Sequence, residues 1–135
     1  MKSLSQFINE SALGMNGFVI LKPKFTEYDE MLSNKLKLNG WTITHKKKQR
    51  LTKDVAKELY AMLADKPFYD DLCDYMICDD CICYGCHKDT EDPIKELNDL
   101  KGEIRKAIGK NDMENGMHSS DSLDNVQREY DLCMK

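Results

Sequence analysis

Hydrophobic and polar positions change period several times along the chain, and each change marks an element. Gly17 to Leu21 form an unbroken apolar run, with Gly14 and Gly17 at its start and Pro23 after it, which suits a buried strand. From Thr26 to Asn39, Tyr28, Met31, Leu32 and Leu36 recur at helical spacing, and Asn39-Gly40 supplies a stop. Trp41, Ile43 and His45 then alternate with Thr42, Thr44 and Lys46, the period of a half-buried strand that runs into the basic segment Lys46 to Lys48. Leu51, Val55, Leu59, Met62 and Leu63 make one apolar stripe behind Thr52, an N-cap residue, and Lys66-Pro67 closes that helix. Phe68, Leu72, Tyr75 and Met76 predict a short helix ending near Ile77, and Cys81 to Cys86 a third strand. Asp92-Pro93 opens a helix whose stripe Ile94, Leu97, Ile104 and Ile108 continues across Gly102. The polar stretch Lys110 to Asn115 reads as a loop, and Asp121 or Ser122 caps a last helix carrying Leu123, Val126 and Tyr130.

Strands alternating with helices in this order predict an α+β sandwich: a ferredoxin-like antiparallel sheet with helices on one face. The 135 residues are enough for one core and no second one. Residues 1–15 read as an N-terminal extension and residues 16–135 as the folded domain, without repeats or low-complexity tracts. A net charge of -4 argues against nucleic acid or anionic membrane as a partner, so an anionic ligand must be held by a few placed cations. No apolar run has the length of a membrane span and the start has no signal-peptide pattern, which predicts a cytoplasmic protein. Six cysteines then read as reduced thiols.

Two segments carry candidate chemistry. Cys78, Cys81, Cys83, Cys86 and His87 have spacings found in zinc sites, yet on a strand Cys81 and Cys83 face one way and Ile82, Tyr84 and Cys86 the other. Small buried thiols are therefore the expected use, and no metal site is assigned. His118 lies between a glycine-containing loop and a helix start dense in hydroxyl and carboxylate groups. A neutral imidazole is a nucleophile when an acceptor fixes its other nitrogen, and Glu129 on the following helix is a candidate acceptor. A surface histidine near a helix cap is the plain alternative on these residues alone.

The stretch Arg105 to Glu129 resembles the active-site segment of nucleoside diphosphate kinases, in which an arginine precedes an Asn-x-x-His-Gly-Ser-Asp-Ser motif. Asn115, His118, Ser120, Asp121 and Ser122 match at the motif's spacing, with Arg105 at the expected interval. Phe18 to Pro23 is similar to the family's first strand, with Lys22-Pro23 kept. Tyr60, Lys66-Pro67-Phe68-Tyr69, Leu72 and Tyr75-Met76 fall where the family has its own landmarks. The resemblance implies ping-pong transfer of a γ-phosphoryl group from a nucleoside triphosphate to a nucleoside diphosphate through a phosphohistidine at His118. It assigns Ser120 and Glu129 to orienting His118, Lys22 and Arg105 to phosphate oxygens, Tyr60 to the transferred group, Asn115 to the sugar, and Phe68, with Leu72, to the base. It also implies Mg2+ carried with the nucleotide and a homo-oligomer.

The chain departs from the family pattern in four places: Lys24 follows Lys22-Pro23 where the family has Asp, the glycine-rich stretch that usually comes next is absent, Ser119 replaces glycine, and the shortened interval before Arg105 contains no arginine. Lys88, Lys95 or Lys101 is then the available point charge for phosphate. The alternative these departures motivate is a nucleotide-binding or regulatory relative with weak or no catalysis. An RNA-binding module is disfavoured by the acidic charge and the lack of an aromatic RNA-binding motif, despite the basic run Lys46 to Arg50.

Overall fold

The computed structural model describes residues 14–135. Four strands, β1 (Gly17–Leu21), β2 (Thr42–Gln49), β3 (Cys81–His87) and β4 (Met117–Ser119), form one antiparallel sheet in the order β2-β3-β1-β4. The α-helices are α1 (Asp29–Leu38), α2 (Lys53–Leu59), α3 (Tyr69–Met76), α4 (Pro93–Ile108) and α5 (Leu123–Met134). This is the ferredoxin-like order expected from the sequence. The extension assigned to the N-terminus falls largely on residues 1–13, outside the described residues; Met15 is fully buried.

The helix caps follow from local side-chain chemistry. Thr52 accepts a hydrogen bond from the Val55 amide, Asp92 from the Lys95 amide and Ser122 from the Asn125 amide, each satisfying a first-turn donor that has no partner within its helix. Pro93 at the start of α4 gives up no hydrogen bond there. The helix expected over Leu51 to Leu63 ends at Tyr60, and Ala61–Leu63 continue as a 3-10 turn. That break lets Tyr60 leave the helix axis.

Helices cover both faces of the sheet, which corrects the expectation of one covered face. Phe18, Ile20, Cys81 and Cys83 pack against Leu59 of α2, Leu72 and Met76 of α3 and Val126 of α5. Val19, Leu21, Ile82 and Tyr84 pack against Leu32 and Leu36 of α1 and Leu97, Leu100 and Ile104 of α4. The cause lies in β1 and β3, which are apolar at successive positions and have no polar face to offer water. Only β2, at the sheet's edge, alternates towards solvent, and its basic run continues the strand to Gln49. Strand β4 has no counterpart in the sequence reading. Three residues of mixed polarity carry no period.

The cysteine motif divides as strand geometry requires. Cys81 and Cys83 belong to one core and Cys86 to the other, while Cys78 is exposed before the strand. All six cysteines are free. Among the described residues no helix is long and apolar enough to cross a membrane.

Two glycines test the packing in opposite directions. A Cβ on Gly17 would stand 2.9 Å from Leu97 Cδ2 and 3.0 Å from both Cys86 Sγ and Trp41 Cζ3, whereas one on Gly102 within α4 meets nothing within 4 Å. Gly17→Ala should lower the unfolding free energy by about 1–3 kcal/mol. Gly102→Ala should raise it by about 1 kcal/mol, because alanine costs less backbone entropy in a helix. Urea unfolding of both variants checks the pair, and equal signs would contradict this description of the core.

Candidate functional site

The site begins with the antiparallel register of the two strands that meet at its floor. Ile20 of β1 is opposite His118 of β4, so both side chains point to the same face, the one covered by α2, α3 and α5. Gly116, immediately before β4, takes a positive φ of 96°, and a Cβ there would press to 3.0 Å from Ile108. Glycine is therefore the residue that lets the loop turn into β4 at this point. Lys22, just past the end of β1, donates its amide to the Gly116 carbonyl at 2.9 Å, which ties the two strand ends together.

His118 is held from one side. Its Nε2 lies 2.7 Å from Glu129 Oε1, and Ser120 Oγ donates to the same oxygen at 2.8 Å. Glu129 is 2% exposed, so its carboxylate depends on these partners and on Arg128, whose Nη1 is 3.9 Å away. With Nε2–H donated to the carboxylate, the lone pair of the neutral imidazole is on Nδ1. The rings of Tyr60 and His118 meet edge to face, centroids 5.7 Å apart. The Tyr60 hydroxyl is buried without a partner, and burial followed by the charge of Glu129 pushes its pKa up, so it stays protonated.

These groups open onto a cavity of about 520 Å3. Lys22, Tyr60, Phe68, Leu72, Arg105, Asn115 and His118 all line it, so every residue assigned to nucleotide contact on the sequence faces one space. Phe68 is 44% exposed at the start of α3, which removes core packing as the reason for its presence; Tyr60, 6% exposed, also belongs to the core. Leu63, Asp112 and Met113 line the cavity as well and were not singled out from the sequence. Leu63 reads there as one more position of an apolar stripe. Asp112 and Met113 sit in a polar loop with no period, shaped by Asn111, whose side chain accepts from the amides of Met113 and Glu114.

The cations are fixed by backbone carbonyls instead of carboxylates. Arg105 Nε donates to the Met117 carbonyl at 2.8 Å from the last turn of α4, and Lys22 Nζ donates to the Met113 carbonyl at 3.4 Å. Lys22 is 3% exposed, and its pKa is lowered to about 7 by burial first and then by the charges of Arg105 and Lys101. Burial likewise lowers the Arg105 pKa. Asn115 donates to the Asp112 carbonyl at 2.7 Å, and its own Oδ1 is buried without a partner. The cavity thus gathers positive charge, a phenol proton and an imidazole lone pair, with an apolar wall from Leu63, Phe68 and Leu72.

A family model described as nucleoside diphosphate kinase matches residues 16–135. The nucleoside diphosphate kinase of Persephonella marina is 30% identical over 100 residues, covering 67% of this chain and 70% of that protein. That of Rhodovulum sulfidophilum is 29% identical over 124 residues, covering 83% and 87%. Among solved structures, apo nucleoside diphosphate kinase from Encephalitozoon cuniculi superposes with a TM-score of 0.83 at 18% identity, over 89% of this chain and 88% of that one. A halophilic nucleoside diphosphate kinase from Halobacterium salinarum, solved in complex with CDP, gives 0.78 at 24% identity, over 87% and 85%. The structural likenesses speak for the fold; the family match, which extends from just before β1 to the end of the chain, speaks for descent, and the chain belongs to the nucleoside diphosphate kinase family.

Proposed function

We propose that this chain is a nucleoside diphosphate kinase that moves a γ-phosphoryl group between nucleotides through a phosphohistidine at His118. The observation that carries the reading is the hydrogen bond between His118 Nε2 and the buried Glu129 carboxylate, itself held by Ser120, on a ring that lines the cavity. It leaves Nδ1 as the nucleophile. The lone pair of Nδ1 attacks the γ-phosphorus in line, the bond from that phosphorus to the β-bridging oxygen breaks, and the diphosphate leaves with that oxygen's electrons. A second nucleoside diphosphate reverses these events with its terminal oxygen. Glu129 stabilises the imidazolium character that develops as the nitrogen gives up its pair.

Other residues supply position and charge. Lys22 and Arg105 neutralise phosphate oxygens, and the Tyr60 hydroxyl, whose buried proton has no partner, hydrogen-bonds the transferred group. Asn115 offers its free Oδ1 to the sugar. Phe68 and Leu72 take the base by stacking and apolar contact, which tolerates any base. Among the described residues Asp112 is the one carboxylate lining the cavity. A magnesium ion held mainly by phosphate oxygens and water needs no more than one or two protein carboxylates, so these residues fit a metal that arrives on the nucleotide. When bound, that ion neutralises phosphate charge.

A nucleotide-binding relative without turnover is the second reading, favoured by the lack of any arginine between β3 and Arg105. Incubation with γ-labelled ATP and magnesium separates the two. The phosphotransfer reading expects acid-labile, base-stable label on the wild type, none on His118→Ala, and release of the label by added diphosphates. Nucleotide binding with no label would overturn it. Glu129→Gln should cut the labelling rate about 10²-fold, since a carboxamide places the imidazole less well and does not balance its charge.

Lys22 gives a proton signature. An anion beside it favours the charged form, so its pKa rises from about 7 on phosphate binding, and at pH 8 the complex takes up protons from solution. Calorimetric titration with ADP at pH 8, in buffers of different ionisation enthalpy, should show this uptake in the wild type and lose it in Lys22→Met. Equal proton counts for both would remove Lys22 from the phosphate site.

A further inference from the structure

A nucleoside triphosphate brings about four negative charges to a site where Lys22 and Arg105 are the cations lining the cavity. Besides Lys106 and Lys110 at or just past the C-terminal end of α4, three lysines lie on it or just before it: Lys88, Lys95 and Lys101. Two are already committed to acids. Lys88 Nζ pairs with Glu96 at 2.5 Å, and Lys95 Nζ with Asp99 at 2.8 Å. Lys101 has no carboxylate partner among the described residues, although it is half-buried.

The packing of α4 on β4 places Lys101 beside that strand, one turn before Arg105, which lines the cavity. Asn98 near one end of a helix ridge meets Ser119, whose hydroxyl donates to Asn98 Oδ1 at 3.4 Å, and Arg105 at the other end holds the Met117 carbonyl. Lys101 follows Asn98 by three residues and precedes Arg105 by four, so it lies on the same ridge between these anchors, alongside the strand position of His118. Its long stem lets the ammonium reach past the exposed edge of β4, as Arg105 does one turn later. The electrostatics agree with this placement. Burial first and then Arg105 lower the pKa of Lys101 while Asp121 and Glu129 raise it, and burial first, then Arg105 and Lys101, lower that of Lys22.

Lys22, Arg105 and Lys101 repel one another, a repulsion that Asp121 and Glu129 offset only in part at Lys101, and an anion in their midst removes it. We propose that Lys101 is a third phosphate-binding cation of the His118 site, contacting phosphate oxygens of the bound nucleotide. This rests on the phosphotransfer reading. Because an ammonium is a point charge without the fork of a guanidinium, it neutralises charge without fixing two oxygens at once.

The test compares wild type, K101Q, K101R and K95Q as full-length proteins, each assayed for direct ATP–magnesium binding and for phosphoryl transfer from ATP to a second diphosphate. K101Q should bind ATP about 10-fold more weakly and lose about 10²-fold in kcat/KM. K101R should recover most of both, K95Q should match wild type, and thermal unfolding without nucleotide should show K101Q as stable as wild type. Binding and turnover unchanged in K101Q would overturn the role of Lys101 while an active wild type leaves phosphotransfer standing. A wild type that binds ATP but transfers nothing would overturn phosphotransfer instead, and the binding comparison alone would then decide for or against Lys101.

Discussion

Strand β1 has no free side. It pairs with β3 along one edge and β4 along the other, and helices press on both of its faces, so all five of its residues are buried. A strand so placed must be apolar throughout, and it can end only where the chain finds other uses for polar groups. The end comes at Lys22. The same register that buries Ile20 sets His118 beside it, so the central strand delivers a cation at its terminus and an imidazole at its flank. The imidazole's position is thus a consequence of sheet pairing.

The apolar floor also sets the terms for every charge above it. Glu129 is buried with His118 and Ser120 hydrogen-bonded to it and Arg128 close by, which ties the position of the carboxylate to the orientation of the imidazole. Among the described residues Lys22 has no carboxylate partner, and its ammonium donates to the Met113 carbonyl. Charge is therefore divided within a few residues: Glu129 under the histidine, Lys22 and Arg105 around the cavity, with Asp112 also in its lining.

Much of this was legible in the sequence. The unbroken runs of β1 and β3, the stripes of α2 and α4 and the caps Thr52, Asp92 and Ser122 are local signals, and local signals survive without tertiary context. That Arg105, Asn115 and His118 would share one cavity, with Glu129 on His118, was legible as an expectation from motif spacing along consecutive elements. What was missed depends on partners far along the chain. Three residues of β4 become a strand only because β1 offers an edge, and the second covered face follows from two strands considered together. Tyr60 ends α2 early despite an apolar stripe that continues to Leu63. Asp112 and Met113 enter the cavity through loop geometry set by Asn111, which no period announces.

The buried ammonium of Lys22 has a consequence for how this chain can be improved. Replacing it with an apolar side chain of similar length would relieve both desolvation and the repulsion from Arg105 and Lys101, and would give a protein more resistant to heat. Selection or engineering for thermal endurance alone would therefore drift away from lysine at this position, and only a requirement for turnover would hold it there.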